Sequence, residues 1–95
     1  MRGARLSVVD GKLAMPSAPG EYCGPVMGYS GDRPAVFFVA PNAGVGDVAH
    51  VCSPPHGFAE EADGTLTIYG SILNADNGAA PEYHGYLTRG EWVPA

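Results

Sequence analysis

Three observations predict a mostly β fold. The 95 residues include 14 glycines and 9 prolines, only 16% of the chain is charged, and short runs of β-branched and aromatic residues alternate with turn dipeptides. The first two exclude a long helical bundle or coiled coil, whose composition is rich in charged helix formers. The third gives elements of strand length. The expected architecture is a small single antiparallel sheet, or a sandwich of hairpins, with a Pro/Gly-rich N-terminal arm. The length holds one domain, with residues 1–33 as hairpin and arm and residues 34–95 as the β core.

The elements follow in chain order. "RLSVVDGKLAM" reads as two short strands around Asp10-Gly11, a dipeptide suited to the positive φ angles of a tight hairpin. "PSAPGEYCGP" has three prolines and two glycines in ten residues, which forbids helix and suits a wrapping arm. "PAVFFVAP" is a continuous apolar run closed by prolines, as in a central strand covered on both faces, with Val36, Phe37, Phe38 and Val39 as core. "NAGVG" connects to "DVAHV", where Val48, His50 and Cys52 share one face by strand alternation. A helical turn is expected around Phe58 to Ala62. "GTLTIYGSIL" has strand composition, "ILNADNGAAPEY" is a long turn through Asn77-Gly78, and "YHGYLTRGEWV" is a hairpin with Thr88-Arg89-Gly90 as a three-residue connection.

Charge narrows the function classes. A net charge of −5 with Arg2, Arg5, Lys12, Arg33 and Arg89 scattered along the chain gives no basic stripe for nucleic acid. The acids Asp32, Asp47, Glu60, Glu61, Asp63 and Asp76 allow a second class, a small acidic inhibitor binding a basic host defence protein. The N-terminus lacks the unbroken apolar core of a signal peptide and no run reaches membrane-span length. The expected compartment is therefore cytoplasmic, with Cys23 and Cys52 reduced; a bridge between them is the alternative.

The densest chemistry lies in "HVCSPPH". His50, Cys52 and His56, with His84 from the terminal hairpin, are four donors that zinc accepts. Four protein ligands make such a zinc structural, because catalysis needs an open position. Cys52 with a histidine base is a conceivable nucleophile, but no third orienting group follows in the sequence. "EEADG" reads as a solvated acidic loop. "NADNG" supplies calcium-type oxygens from Asn74 and Asp76, but Gly85 stands where the bidentate glutamate belongs. "NAGVGD" lacks the third glycine of a phosphate loop. No catalytic residue, small-molecule substrate or organic cofactor is expected.

The order "AVFFVAP", "HVCSPPHGF", "DGTLTIYGSI", "YHGYLTRGEWV" over residues 34–93 resembles an uncharacterised family of small bacterial and phage proteins. Its members carry a Cys-x-Cys-Gly-Cys knuckle, a "DGtlTlsPSI" strand and an "sHYfIrnGrvrW" hairpin. The resemblance implies that Cys52 matches the first knuckle cysteine, His56 stands near the last, and His84 matches the hairpin histidine. Ser53, Pro54 and Pro55 interrupt the knuckle, and Gly70 replaces a proline. The expectation is a non-enzymatic structural or interaction protein of a larger assembly, a decoration or minor component of a phage particle, located in the virion if phage-encoded. Its partners would be protein subunits in an oligomeric arrangement, without membrane or direct nucleic-acid contact. Tyr22 and Tyr29 of the arm, with Arg5, are the expected interface residues. A zinc-stabilised binding module is the remaining alternative.

Overall fold

The computed structural model describes residues 1–75 and 81–95, with only the backbone for Val8, Val9 and Ser30. Ten strands and no helix occur among the described residues: β1 Ala4–Arg5, β2 Val8–Val9, β3 Lys12–Leu13, β4 Glu21–Ser30, β5 Arg33–Val39, β6 Val48–Cys52, β7 Gly57–Glu60, β8 Leu66–Asn74, β9 Tyr83–Thr88 and β10 Glu91–Pro94. They form one four-stranded sheet in the order β1-β4-β5-β6, a second in the order β10-β9-β8-β7, and the small hairpin β2-β3. The mostly β expectation holds, in its sandwich form.

The two sheets face each other over one core. Tyr22, Val36 and Phe38 come from the first sheet, and Leu66, Ile68, Ile72, Tyr83, Leu87 and Trp92 from the second. Each large side chain withdrawn from water contributes about 1.5–3 kcal/mol before entropy is subtracted. The opposite face of β5 is also covered: Ala35 and Phe37 pack with Cys23 and Cys52, under Leu6, Leu13 and Val26. Burial on both sides explains the unbroken apolar run of "AVFFVA".

Both ends of the sandwich are tied. Residues 1–3 lie along the β10 edge, with Gly3 N donating to Gly90 O (2.7 Å) and Trp92 N to Met1 O (2.8 Å). The next two residues switch sheets and pair parallel to β4, Ala4 opposite Glu21 and Arg5 opposite Tyr22. At the other side the chain runs from β6 to β7 through residues 53–56, with His56 N donating to Cys52 O. The N-terminal residues thus cover the β10 and β4 edges, whereas β6 and β7 remain the outer strands of their sheets.

Three local expectations need correction. The Pro/Gly-rich segment is not an arm: Glu21–Ser30 is an inner strand, antiparallel to β5. Its prolines and glycines are accommodated because the register shifts between Cys23 and Val26, where Pro25 needs no ladder bond. The segment around Phe58 is strand β7, paired with β8, rather than a helical turn. The terminal connection has two residues, Arg89 (φ 48°) and Gly90 (φ 76°), with Thr88 opposite Glu91. That is the primed hairpin geometry, shared by Asp10-Gly11 at φ 51° and 74°. Asn77-Gly78 lies outside the described residues.

Candidate interaction surface

The four predicted zinc donors occupy different surroundings. His50 is exposed on the outer side of the first sheet, its ring 4.7 Å from Tyr29 and 5.9 Å from Phe37 between centroids. Cys52 is buried beside Ala35 and Phe37. His56 places Nε2 3.1 Å from the Ser71 carbonyl, and its buried Nδ1 has no partner among the described residues. His84 stands exposed on β9, opposite Leu73 on the outer side of the second sheet. His50 and His84 thus lie on opposite outer faces of the sandwich. A tetrahedral zinc needs all four donors within about 2.0–2.3 Å of one point. Among the described residues, no three His, Cys, Asp or Glu side chains are grouped to hold an ion. The set does not fit zinc in this arrangement.

The cysteines are both free and buried. Cys23 faces Phe37 and Cys52 faces Ala35 from opposite sides of β5. Two strand spacings and a two-residue offset separate their Cα atoms by roughly 11 Å, beyond the ~7 Å reach of a disulfide. Burial pushes the Cys23 thiol above its ordinary value, against a smaller opposing pull from a backbone hydrogen bond at Phe37. A protonated, enclosed thiol is a poor nucleophile.

Two of the expected interface residues serve inside the globule. Tyr22 is fully buried, and its hydroxyl accepts the Leu66 N–H at 3.3 Å across the core. It is therefore a tie between the sheets and offers no surface. Arg5 donates to Gly24 O (2.7 Å), Gly64 O (3.1 Å) and Glu60 Oε1, linking β4 to the β7–β8 connection. Those acceptors occupy the guanidinium that borders a cleft of about 370 Å³ between β1 and the β4 bulge, otherwise lined mainly by Leu6, Leu13, Pro25 and Val26. Tyr29 alone of the three is exposed, edge-on to Phe37 at 4.9 Å.

Several of the acids are likewise engaged locally. Asp63 accepts the Thr65 hydroxyl and N–H, which hold its carboxyl below the usual range. Glu61 accepts the Thr67 hydroxyl at 2.6 Å, and Glu21 accepts the Ser17 and Ala18 N–H groups. These bonds set turns. Asp76 lies outside the described residues.

What sequence reasoning missed is the outer face of the second sheet. Inward positions Ile68, Ile72, Tyr83, Leu87 and Trp92 are buried, so their alternates point outward. Those alternates include Tyr69 (59% exposed), Leu73 (62%), Tyr86 (41%) and Val93 (45%). Tyr86 pairs with Val93, and the β8 bulge between Ile68 and Ile72 sets Tyr69 on the other side of Tyr86. Beyond it, Tyr69 carbons stand 3.5 Å from where a Cβ on Gly57 would be, so the ring flanks a position without a side chain. A solvated face of an antiparallel sheet is ordinarily polar; here β8 and β9 contain no Asp, Glu, Lys or Arg. The available signal was that "LTIYGSILN" and "YHGYLT" carry apolar residues at both parities without a charge.

No family model, curated protein or solved structure matches this chain. The outer face of the β7–β10 sheet is the feature of the molecule that bears on function. Its four exposed apolar side chains present on the order of 400 Å², the size of the largest apolar patch on an ordinary monomer, which is often a functional one.

Proposed function

We propose that this chain is a non-enzymatic packing subunit of a larger protein assembly, a decoration or minor component of a phage particle, and that it engages its neighbours through the outer face of the β7–β10 sheet. The observation that carries this reading is the uncharged group Tyr69, Leu73, Tyr86 and Val93, exposed across three adjacent strands. Aromatic and apolar side chains at the centre of a patch, with charges excluded, are the compositional mark of an interface core. The resemblance over residues 34–93 to small bacterial and phage proteins supports placing that assembly in a virion. Packing, without turnover, is then the mechanism: the tied sandwich holds the face rigid, so little entropy is lost on docking.

The acidic-inhibitor reading is the less favoured one: Glu21, Glu60, Glu61 and Asp63, four of the ten acids, already accept hydrogen bonds within the chain. The packing reading is tested by sedimenting extracts of the cells or particles that encode the chain. Wild-type chain is expected in the high-mass fraction, and Tyr86→Lys in the light fraction. Wild-type chain sedimenting at its own mass overturns the reading.

A further inference from the structure

Strand β6 is the outer strand of the first sheet, and its free edge carries a distinct set of backbone groups. Ser53 N–H donates to Pro34 O at 3.0 Å, in register with the Ala35–Cys52 pair, so Ala49 and Val51 turn their backbone groups toward β5. Val48, His50 and Cys52 therefore turn theirs away from the sheet. Two of these groups are satisfied by the chain's own turns: Val48 N–H donates to Gly46 O (2.9 Å), and Cys52 O accepts from His56 N–H (3.0 Å). The others, Val48 C=O, both groups of His50 and Cys52 N–H, face outward with no neighbouring strand among the described residues.

None of the usual edge protections covers this window. Val48–Cys52 contains no Lys and no Pro, and its pairing with β5 runs without a bulge. The His50 ring is drawn aside against Tyr29, at 4.7 Å between centroids, and Ala49 and Val51 sit half-buried at the rim of the core.

We propose that β6 pairs with β6 of a second copy, antiparallel about a two-fold axis at His50, so that the two first sheets become one continuous sheet. The hydrogen-bond pattern selects that partner. With His50 opposite His50, Val48 of one copy stands opposite Cys52 of the other. His50 N–H and C=O then bond reciprocally, and each Cys52 N–H meets the other copy's Val48 C=O. The groups left facing one another are Val48 N–H and Cys52 C=O, which are already satisfied within each chain. An unrelated strand in this place would keep a donor and an acceptor opposite groups that are already bonded.

Charge points to the same partner. Asp47 adjoins one end of the window, and Arg33, whose guanidinium donates to Pro54 O at 3.2 Å, adjoins the other. The same register sets Asp47 of one copy opposite Ser53 of the other, beside Pro54, so carboxylate and guanidinium meet twice across the axis. A parallel alignment would set acid against acid. The two-fold contact closes at two chains. It uses none of the outer face of the second sheet and stands apart from the packing reading above.

Sedimentation equilibrium of the purified full chain from about 1 μM to about 1 mM tests the pairing. A concentration-dependent dimer is expected. His50→Pro removes an outward N–H that the ladder to β5 does not use, so this variant should fold and stay monomeric over the range. Asp47→Arg and Arg33→Asp should each weaken the dimer about fivefold or more, since each change alters two pairs, and the double variant should recover it. Tyr86→Lys, on the second sheet, should leave it unchanged. Wild-type chain that stays monomeric throughout, a dimer that survives His50→Pro, or a folded double variant that dimerises no better than the singles overturns the proposal. A dimer dissolved by Tyr86→Lys and indifferent to His50→Pro belongs to the other face and also overturns it. Should His50→Pro fail to fold, amide hydrogen exchange of the wild type is followed against concentration. Slowing at His50 and Cys52 supports the pairing, and a dimer that leaves both amides unchanged refutes it.

Discussion

Trp92 donates its indole N–H to the carbonyl of Gly20 at 2.9 Å, joining β10 of one sheet to the residue that precedes β4 of the other. The same ring meets Tyr22 and Tyr83 edge-on, at 6.5 and 5.9 Å, and Phe38 at 5.4 Å. One side chain thus supplies both the centre of the core and a directed bond between the layers.

Replacing Trp92 tests that double role. Trp92→Phe keeps an aromatic ring but removes the donor; Gly20 O retains the weaker Ala4 N–H at 3.3 Å, so the expected loss is about 1–2 kcal/mol. Trp92→Ala removes the ring as well and should cost about 3–5 kcal/mol. Denaturant midpoints check both. Equal losses for the two variants would mean that the hydrogen bond alone matters.

Gly3 tests the tie at the N-terminal segment. A Cβ there would lie 2.9 Å from Trp92 Nε1 and 3.0 Å from the carbonyl oxygens of Gly20 and Gly90. Two of those atoms are backbone and cannot turn aside, so Gly3→Ala should destabilise by about 1–3 kcal/mol, as overpacking does. Gly57→Ala, whose Cβ would make ordinary 3.5 Å contacts with Tyr69, should cost much less when both are measured at low protein concentration. A neutral Gly3→Ala would show that residues 1–3 do not close the sandwich.

Stability should fall at both ends of the pH scale. Backbone N–H groups of Ser17 and Ala18 hold Glu21 below its ordinary 4.5, and the Thr65 hydroxyl and N–H hold Asp63 below 3.8. The unfolded chain therefore takes up these protons first, so this stability is present above those ordinary values and is lost as pH falls through the lower folded ones. Burial raises Cys23 above 9.0 and Tyr83 above 10.0. Their contribution is complete below those values and is lost as pH rises through the higher folded ones. Denaturant midpoints against pH should flatten on the acid side in Glu21→Gln and above pH 10.0 in Tyr83→Phe; unchanged limbs would contradict these assignments.

Tyr83 carries a further expectation. Its buried hydroxyl has no hydrogen-bond partner among the described residues and lies 2.5 Å from where a Cβ on Gly85 would be. Desolvation of that hydroxyl is uncompensated, so Tyr83→Phe near neutral pH should be neutral or stabilising by up to about 1 kcal/mol. A loss above about 1 kcal/mol would mean that the hydroxyl is bonded.

The elements read correctly from the sequence were those whose signal is local. "VVDGKL" and "LTRGEW" announce hairpins because Asp10-Gly11 and Arg89-Gly90 end in a glycine suited to the positive φ of a two-residue turn, the second turn being held further by Arg89 N–H to Thr67 Oγ1 and Gly90 N–H to Leu66 O. "AVFFVA" announces a strand covered on both sides because nothing polar interrupts it. β4 was illegible because Pro25 and Gly24 break the pattern, and only the bulge against β5 makes them tolerable in a strand. Four residues of β7 are too few for a period to show. The zinc donors looked close because "HVCSPPH" is compact in sequence, yet His50 and His56 belong to different sheets' surroundings once the chain crosses between β6 and β7. The outer patch depends on register: Tyr69, Tyr86 and Val93 come from three strands, and only pairing brings them side by side.

The most direct measurement is hydroxyl-radical footprinting of the chain in its native assembly against the dilute isolated chain. Protection of Tyr69, Leu73, Tyr86 and Val93 in the assembly, with Tyr29 and Met27 equally reactive in both, is the expected result. Unchanged reactivity across those four residues, with protection appearing at Tyr29 and Met27 instead, would place the contacts on the first sheet and contradict the assignment of the packing surface.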